Sequence, residues 1–231
     1  MPVTIGYAIW FLGTLLEVSV VVCSLLKGSF RKYLCLNLYM LFSFLISVGR
    51  YWSLSHFGLR SSEYKYFYFY SDALLTIFLY LALITLYLHV FDEMKVEKVV
   101  RLAAIVLLAG TALFSYAVVQ QSQTKMLTGF FVELSQNLYF VGLVLTYVLW
   151  GAILKLRETR TQLIQLVLSL GVYFSAFAAT YALGNMLPNV PLIRYIVPVF
   201  GCLLPLAWAY AFWRLSPDAR MVPAQLAVVP R

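Results

Sequence analysis

Five ionisable side chains of this 231-residue chain stand inside long apolar runs or at their mouths: Glu17, Arg50, Asp72, Glu133 and Arg194. A charge set in apolar chain is costly, so it persists where it has a partner or a task. Arginines and carboxylates at one level can do two things. They can close on each other as ion pairs, Arg50 with Asp72 and Glu133 with Arg194, and hold helices together. Or they can line a hydrated pocket in which a guanidinium grips an anionic group with two bonds and a carboxylate receives an amine. Gln136 and Asn137 follow Glu133 by three and four residues and share its helix face, and His56, Asn185 and Asn189 lie near the same edge. Both readings stay open on the sequence.

The elements that must position these groups follow from composition. Hydrophobic residues make up 63% of the chain and charged residues 11%, with a mean hydropathy of +0.87. So much apolar surface exceeds what a soluble core of this length hides. The chain is read as an all-α, polytopic membrane protein. Disorder, a disulfide scaffold and a sizeable soluble domain are excluded. A span of ~30 Å of hydrocarbon takes about 20 apolar residues. Seven stretches qualify, roughly 4–26, 33–57, 67–91, 100–120, 128–153, 162–184 and 193–214. Residues 1–214 then form one seven-helix domain, and 215–231, with Pro217, Pro223 and Pro230, are expected to be a disordered cytoplasmic tail. The connections are short, which predicts antiparallel neighbours. The first run has no basic segment before it and is too long for a signal peptide.

Orientation comes from the 17 lysines and arginines. Lys27, Arg31, Lys32, Lys95, Lys98, Arg101, Lys155, Arg157, Arg160, Arg214, Arg220 and Arg231 fall on one side. Arg60, Lys65, Lys125 and Arg194 fall on the other, and Arg50 lies within a helix. The bias predicts an N-terminus outside and a C-terminus in the cytoplasm of the cell membrane. It also accounts for the net charge of +8 without nucleic acid. At ~1.5 Å per residue, Arg50, Asp72 and Glu133 all come to the outer leaflet.

Glu17 differs. It sits in the cytoplasmic half of the first helix with no cation expected at its level. Such a carboxyl is expected to be a protonated, hydrogen-bonded acid, with Asn37, Thr146 and Gln165 as partners, or a proton-coupling site. Pro198 and Pro205 share one face of the seventh helix and can kink it. Ala176, Ala178, Ala179, Ala182 and Gly184 give the sixth a small surface for close approach. The run from Tyr64 to Tyr70, with Tyr51 and Trp52, reads as an interfacial aromatic belt or as the wall of an outer pocket. Cys23, Cys35 and Cys202 lack metal-ligand spacing, the two histidines stand at opposite edges, and no catalytic motif is present. No enzyme activity, metal or cofactor is expected.

Seven helices in this length with the N-terminus outside are similar in layout to the microbial rhodopsins. That family binds retinal through a lysine in the seventh helix, and residues 193–214 contain none. On Phe30-Arg31-Lys32-Tyr33 and the Tyr-rich start of the third helix ending at Asp72, the chain resembles small uncharacterised seven-helix bacterial membrane proteins, a resemblance that implies no activity. The functional expectation is a receptor-like or sensor module. It binds a small ligand in an outward-facing polar pocket at Arg50, Asp72, Glu133, Asn137 and Arg194, and a protein partner in the cytoplasm or membrane reads the state. The alternatives are a small-solute transporter, proton-coupled through Glu17, and a non-catalytic subunit of a larger membrane complex.

Overall fold

The computed structural model describes residues 3–59, 61–94, 96–121, 126–186, 193–215 and Arg220. It contains α1 (Val3–Leu26), α2 (Leu34–Phe57), α3 (Ser62–Val90), α4 (Glu97–Gln121), α5 (Met126–Leu156), α6 (Thr161–Met186) and α7 (Ile193–Arg214). A short 3-10 turn, Asp92–Met94, follows α3. Among the described residues no strand forms; one isolated bridge joins Arg160 to Arg220. The remainder of the expected tail lies outside the described residues. Six helices, α1 to α6, are long and apolar enough to cross a membrane, and the described apolar part of α7 runs from Val199 to Arg214.

Local chemistry sets the helix ends. The third helix begins five residues before the apolar run, because Ser61 caps it: its hydroxyl accepts the Tyr64 N–H at 3.1 Å. Glu63 then sits favourably in the first turn. The fourth helix starts at Glu97, which pairs with Arg101 one turn on. The first and fifth helices end in the same way. Gly28 takes φ 68°, and the Ser29 N–H reaches back to the Ser24 carbonyl at 3.0 Å. Arg157 takes φ 51°, and the Glu158 N–H reaches the Ile153 carbonyl at 3.1 Å. In each case a left-handed residue lets the next amide satisfy a carbonyl that the helix end leaves open. Gly28 does this without strain, whereas Arg157 bears the cost of its Cβ.

The helices close into a ring. Neighbours in sequence pack as antiparallel pairs from α1 to α3 and from α4 to α7, while α7 returns beside α1 and runs parallel to it. The sequence does not predict that closure: Cys202 Sγ lies 3.5 Å from the Ile9 carbonyl, and Lys27 lies over the Trp213 ring. The pair α3 and α4, expected as neighbours, makes slight contact, because α3 packs instead on α2 and α5 and the fourth helix lies outside, against α5. Gly142 allows α5 and α6 to meet, since a Cβ there would run into the Phe174 ring. Outward faces remain apolar, as at Ile105, Leu113 and Leu154, a surface that lipid covers.

Packing differs along the bundle. Around the loops rich in lysine and arginine, hereafter the basic end, the interior is solid. Tyr33, Leu36, Leu86, Leu163, Leu166, Trp208 and Phe212 are all at most 1% exposed. Tyr33 stacks on His89 and meets Phe212 edge-on. Gln162 donates to the carbonyls of Ala211 and Leu215, both at 3.3 Å, at the end of α7, where the Ala211 carbonyl also accepts from the Leu215 N–H. A clasp closes this end. Arg160 donates to both oxygens of Glu158, at 2.9 and 2.6 Å, and to the His89 carbonyl at 2.8 Å, tying the α5–α6 turn to the end of α3. Bonding to Arg160 holds the Glu158 carboxyl below its ordinary value of 4.5.

Candidate functional site

The N-terminal half of the bundle is hollow. A cavity of about 530 Å³ lies among α1, α2, α3, α5, α6 and α7. Glu17 of α1, Arg50 of α2 and Asp72 of α3 all line it. Each helix presents one stripe at helical spacing. The first contributes Trp10, Thr14 and Glu17; the second, Ser43, Ser47 and Arg50; the third, Tyr64, Tyr68 and Asp72; the sixth, Tyr173, Phe177 and Tyr181. Gly201, Cys202 and Pro205 of α7 complete the wall.

Arg50 is held from several sides. Its Nε donates to Ser71 Oγ at 3.0 Å, and Nη2 donates to the Tyr68 carbonyl at 3.3 Å. Nη2 stands 3.9 Å from Asp72 Oδ1, and the guanidinium carbon lies 4.3 Å from the centre of the Tyr68 ring. The ion pair is therefore long, and the stronger restraint on the guanidinium is the Ser71 hydroxyl together with the ring face. About a fifth of each charged side chain remains exposed, toward the cavity.

Glu17 reaches the same space from the opposite wall. Ser43 donates to Oε1 at 2.5 Å and Ser47 to Oε2 at 3.3 Å. Among the described residues no cationic side chain lies within ion-pair distance of it. Two of the three partners foreseen for it, Asn37 and Thr146, have other work. Asn37 donates to the Phe30 and Tyr33 carbonyls, and Thr146 to that of Gly142. Ser43 and Ser47 escaped notice, although the signal was there: with Arg50 they stand at i, i+4 and i+7, a polar stripe on an apolar helix.

The other candidates are dispersed. Glu133 is half-buried and does not line the cavity. Asn137 points the other way around α5 and donates to Ser115 Oγ of α4 at 3.0 Å. Arg194 lies in the first turn of α7 with its side chain outside the described residues, as are the side chain of Asn185 and the whole of Asn189. His56 bonds locally to the Trp52 carbonyl. No three His, Cys, Asp or Glu side chains converge on a metal site among the described residues, and the three cysteines are free.

The aromatic run of α3 divides by helical phase. Tyr64 and Tyr68 turn into the cavity. Tyr66 and Tyr70 stack on the outer side, and Tyr70 meets Phe131 of α5 edge-on at 4.6 Å. Phe67 packs on Gly49, where a Cβ would lie 2.8 Å from the ring. The run thus supplies both a pocket wall and an outer girdle. No known protein family, curated protein or solved structure matches the chain.

Proposed function

We propose that this multi-pass membrane protein is a receptor-like sensor that takes a small ligand into the cavity between Glu17, Arg50 and Asp72. In this reading α7 crosses as a seventh span, and the cavity end faces outward under the positive-inside bias. The observation that carries the reading is the placement of three ionisable groups, from three helices, in one cavity that is roofed by aromatics and closed below by the packed basic end. Polar groups gathered in a concave, largely apolar site are what ligand recognition requires. A solid inner half favours a state read by a partner at the clasp over a path through the bundle.

A second reading has one observation behind it. Glu17, a proton-exchanging group, shares the ligand's cavity, so proton and ligand can compete there, as proton-coupled transport requires. The test is a screen of small amines, amino acids and carboxylates against the protein in nanodiscs, with Arg50→Ala and Glu17→Gln as controls. Binders that raise the melting temperature of the wild type alone support a site here; a melt unmoved by every class rejects it. Flux of a confirmed binder in proteoliposomes favours transport over sensing. A C-terminal reporter fusion that scores outside the cytoplasm overturns the orientation.

A further inference from the structure

A second hollow lies beside the first. It is a groove of about 760 Å³ between α1 and α2, on the outer side of both. Phe11, Leu15, Val18 and Val48 line it, and each is 36% or more exposed. On helices apolar enough to span a membrane, such a face meets lipid rather than water. The groove and the charged cavity share Tyr7, Trp10, Thr14, Tyr51 and Leu54, so they are two chambers with a common wall. Trp10 and Tyr51 stack at that wall, with ring centres 5.3 Å apart. Tyr51 is 51% exposed and has room to swing aside, while Trp10 is half-buried.

Resting on the cavity reading above, we infer that the ligand is a single-chain amphiphile with a cationic amine head, which enters sideways from the bilayer between α1 and α2. The head takes Glu17, and the chain takes the groove. Charge complementarity decides the sign of the head. The Arg50 charge is already met by Ser71, the Tyr68 carbonyl, Asp72 and the Tyr68 ring. Glu17 receives two hydroxyls and, among the described residues, has no cation within ion-pair distance, Arg50 acting on it only from farther off. An ammonium supplies the missing charge. Geometry decides the chain. From Tyr7 to Val18 the groove follows α1 for ~16 Å by the helical rise, which a chain of about twelve carbons spans. Hydrocarbon gains little on moving from lipid to a protein groove. The groove therefore selects and orients the chain, while the head provides the specific attraction.

The experiment compares dodecylamine, butylamine and dodecanoate by thermal melts in nanodiscs of zwitterionic lipid, for the wild type, Glu17→Gln and Val48→Trp. Long chains concentrate in any bilayer, so the seat of the chain is read from the groove variant rather than from raw affinity. Val48 is 47% exposed and tolerates a larger side chain; Leu15→Trp, on the facing wall, is the second groove variant. Dodecylamine is expected to bind the wild type at least tenfold more tightly than dodecanoate. Glu17→Gln should weaken both amines at least tenfold. The groove variants should weaken dodecylamine tenfold and leave butylamine unchanged. Tighter binding of dodecanoate overturns the cationic head and hands that role to Arg50. Amine binding indifferent to Glu17→Gln overturns the head's partner. Amine binding that depends on Glu17 but not on either groove variant overturns the chain's seat while the cavity reading stands. A wild-type melt that no probe moves rejects the cavity reading itself.

Discussion

The two halves of the bundle are cut from the same helices, yet one is hollow and the other solid. In the basic half, large rings and leucines fill the interior, and the Asn37 and Gln162 amides donate to carbonyls at the helix ends. Tyr33 fills the space between His89 and Phe212, and Trp208 packs between α2 and α6, edge-on to Tyr39 and with its Nε1 donating to the Leu166 carbonyl. In the cavity half, aromatic rings line the wall, while small and charged residues on α1 and α2 leave volume between them. Gly13, Thr14, Ser43 and Ser47 line the cavity beside Glu17, and their short side chains leave the space unfilled. Charges also resist collapse, because an ion drawn out of water is costly until it finds a match. Density belongs to the half that keeps the helices together, and space to the half that carries the charges.

The contrast makes its largest prediction for stability in the solid half. Trp208 is fully buried, so Trp208→Ala should cost about 3–5 kcal/mol, whereas Trp10→Ala at the cavity wall should cost less than half as much. Equal losses in denaturant unfolding would mean that the two halves are packed alike. The next effect lies in the cavity. Arg50→Ala leaves Asp72 without its cation and should cost about 2–3 kcal/mol, below the range for fully buried pairs because part of each group is exposed. Asp72→Ala should cost less, since Ser71 and Tyr68 still hold the guanidinium. The double variant should fall short of the sum by 0.5 kcal/mol or more, roughly the least expected of coupled neighbours; strict additivity would show that the 3.9 Å pair does not interact.

The clasp should respond to acid. Glu158 binds Arg160 in the folded protein and is held below its ordinary value of 4.5. Its contribution is therefore complete above about 4.5 and is lost as pH falls through the lower folded value. Glu158→Gln should remove about 1.5–2 kcal/mol at pH 7, as hydrogen bonds to charged groups do. The gap between variant and wild type should narrow below pH 4; a gap constant from pH 7 to pH 3 would deny the carboxylate its role. The smallest effect is a gain. Arg157→Gly relieves the left-handed strain at the end of α5 and should raise stability by less than about 1 kcal/mol, after the entropy of glycine is deducted. A loss instead would show that the Arg157 side chain matters more than its backbone.

Composition and hydropathy made the helices legible, because a span needs only length and apolar content, both linear properties. Loop chemistry was partly legible too. Gly28 announces a helix end by residue type. Ser61 carried the same kind of signal, but the apolar run put the start of the third helix at 67. Nothing in an arginine says that Arg157 will turn left-handed. Helical arithmetic also brought Arg50 and Asp72 to one depth. What it could not supply was direction around each helix axis. Counting brought Glu133 to the same level, but Glu133 stays off the cavity and Asn137, one turn on, turns to α4. Glu17 came from a level thought separate and joined the cavity through Ser43 and Ser47. Depth is fixed by counting along one helix. Azimuth is fixed by which neighbours a helix packs against, and that was decided when α3 took the middle, α4 was left outside and α7 closed on α1.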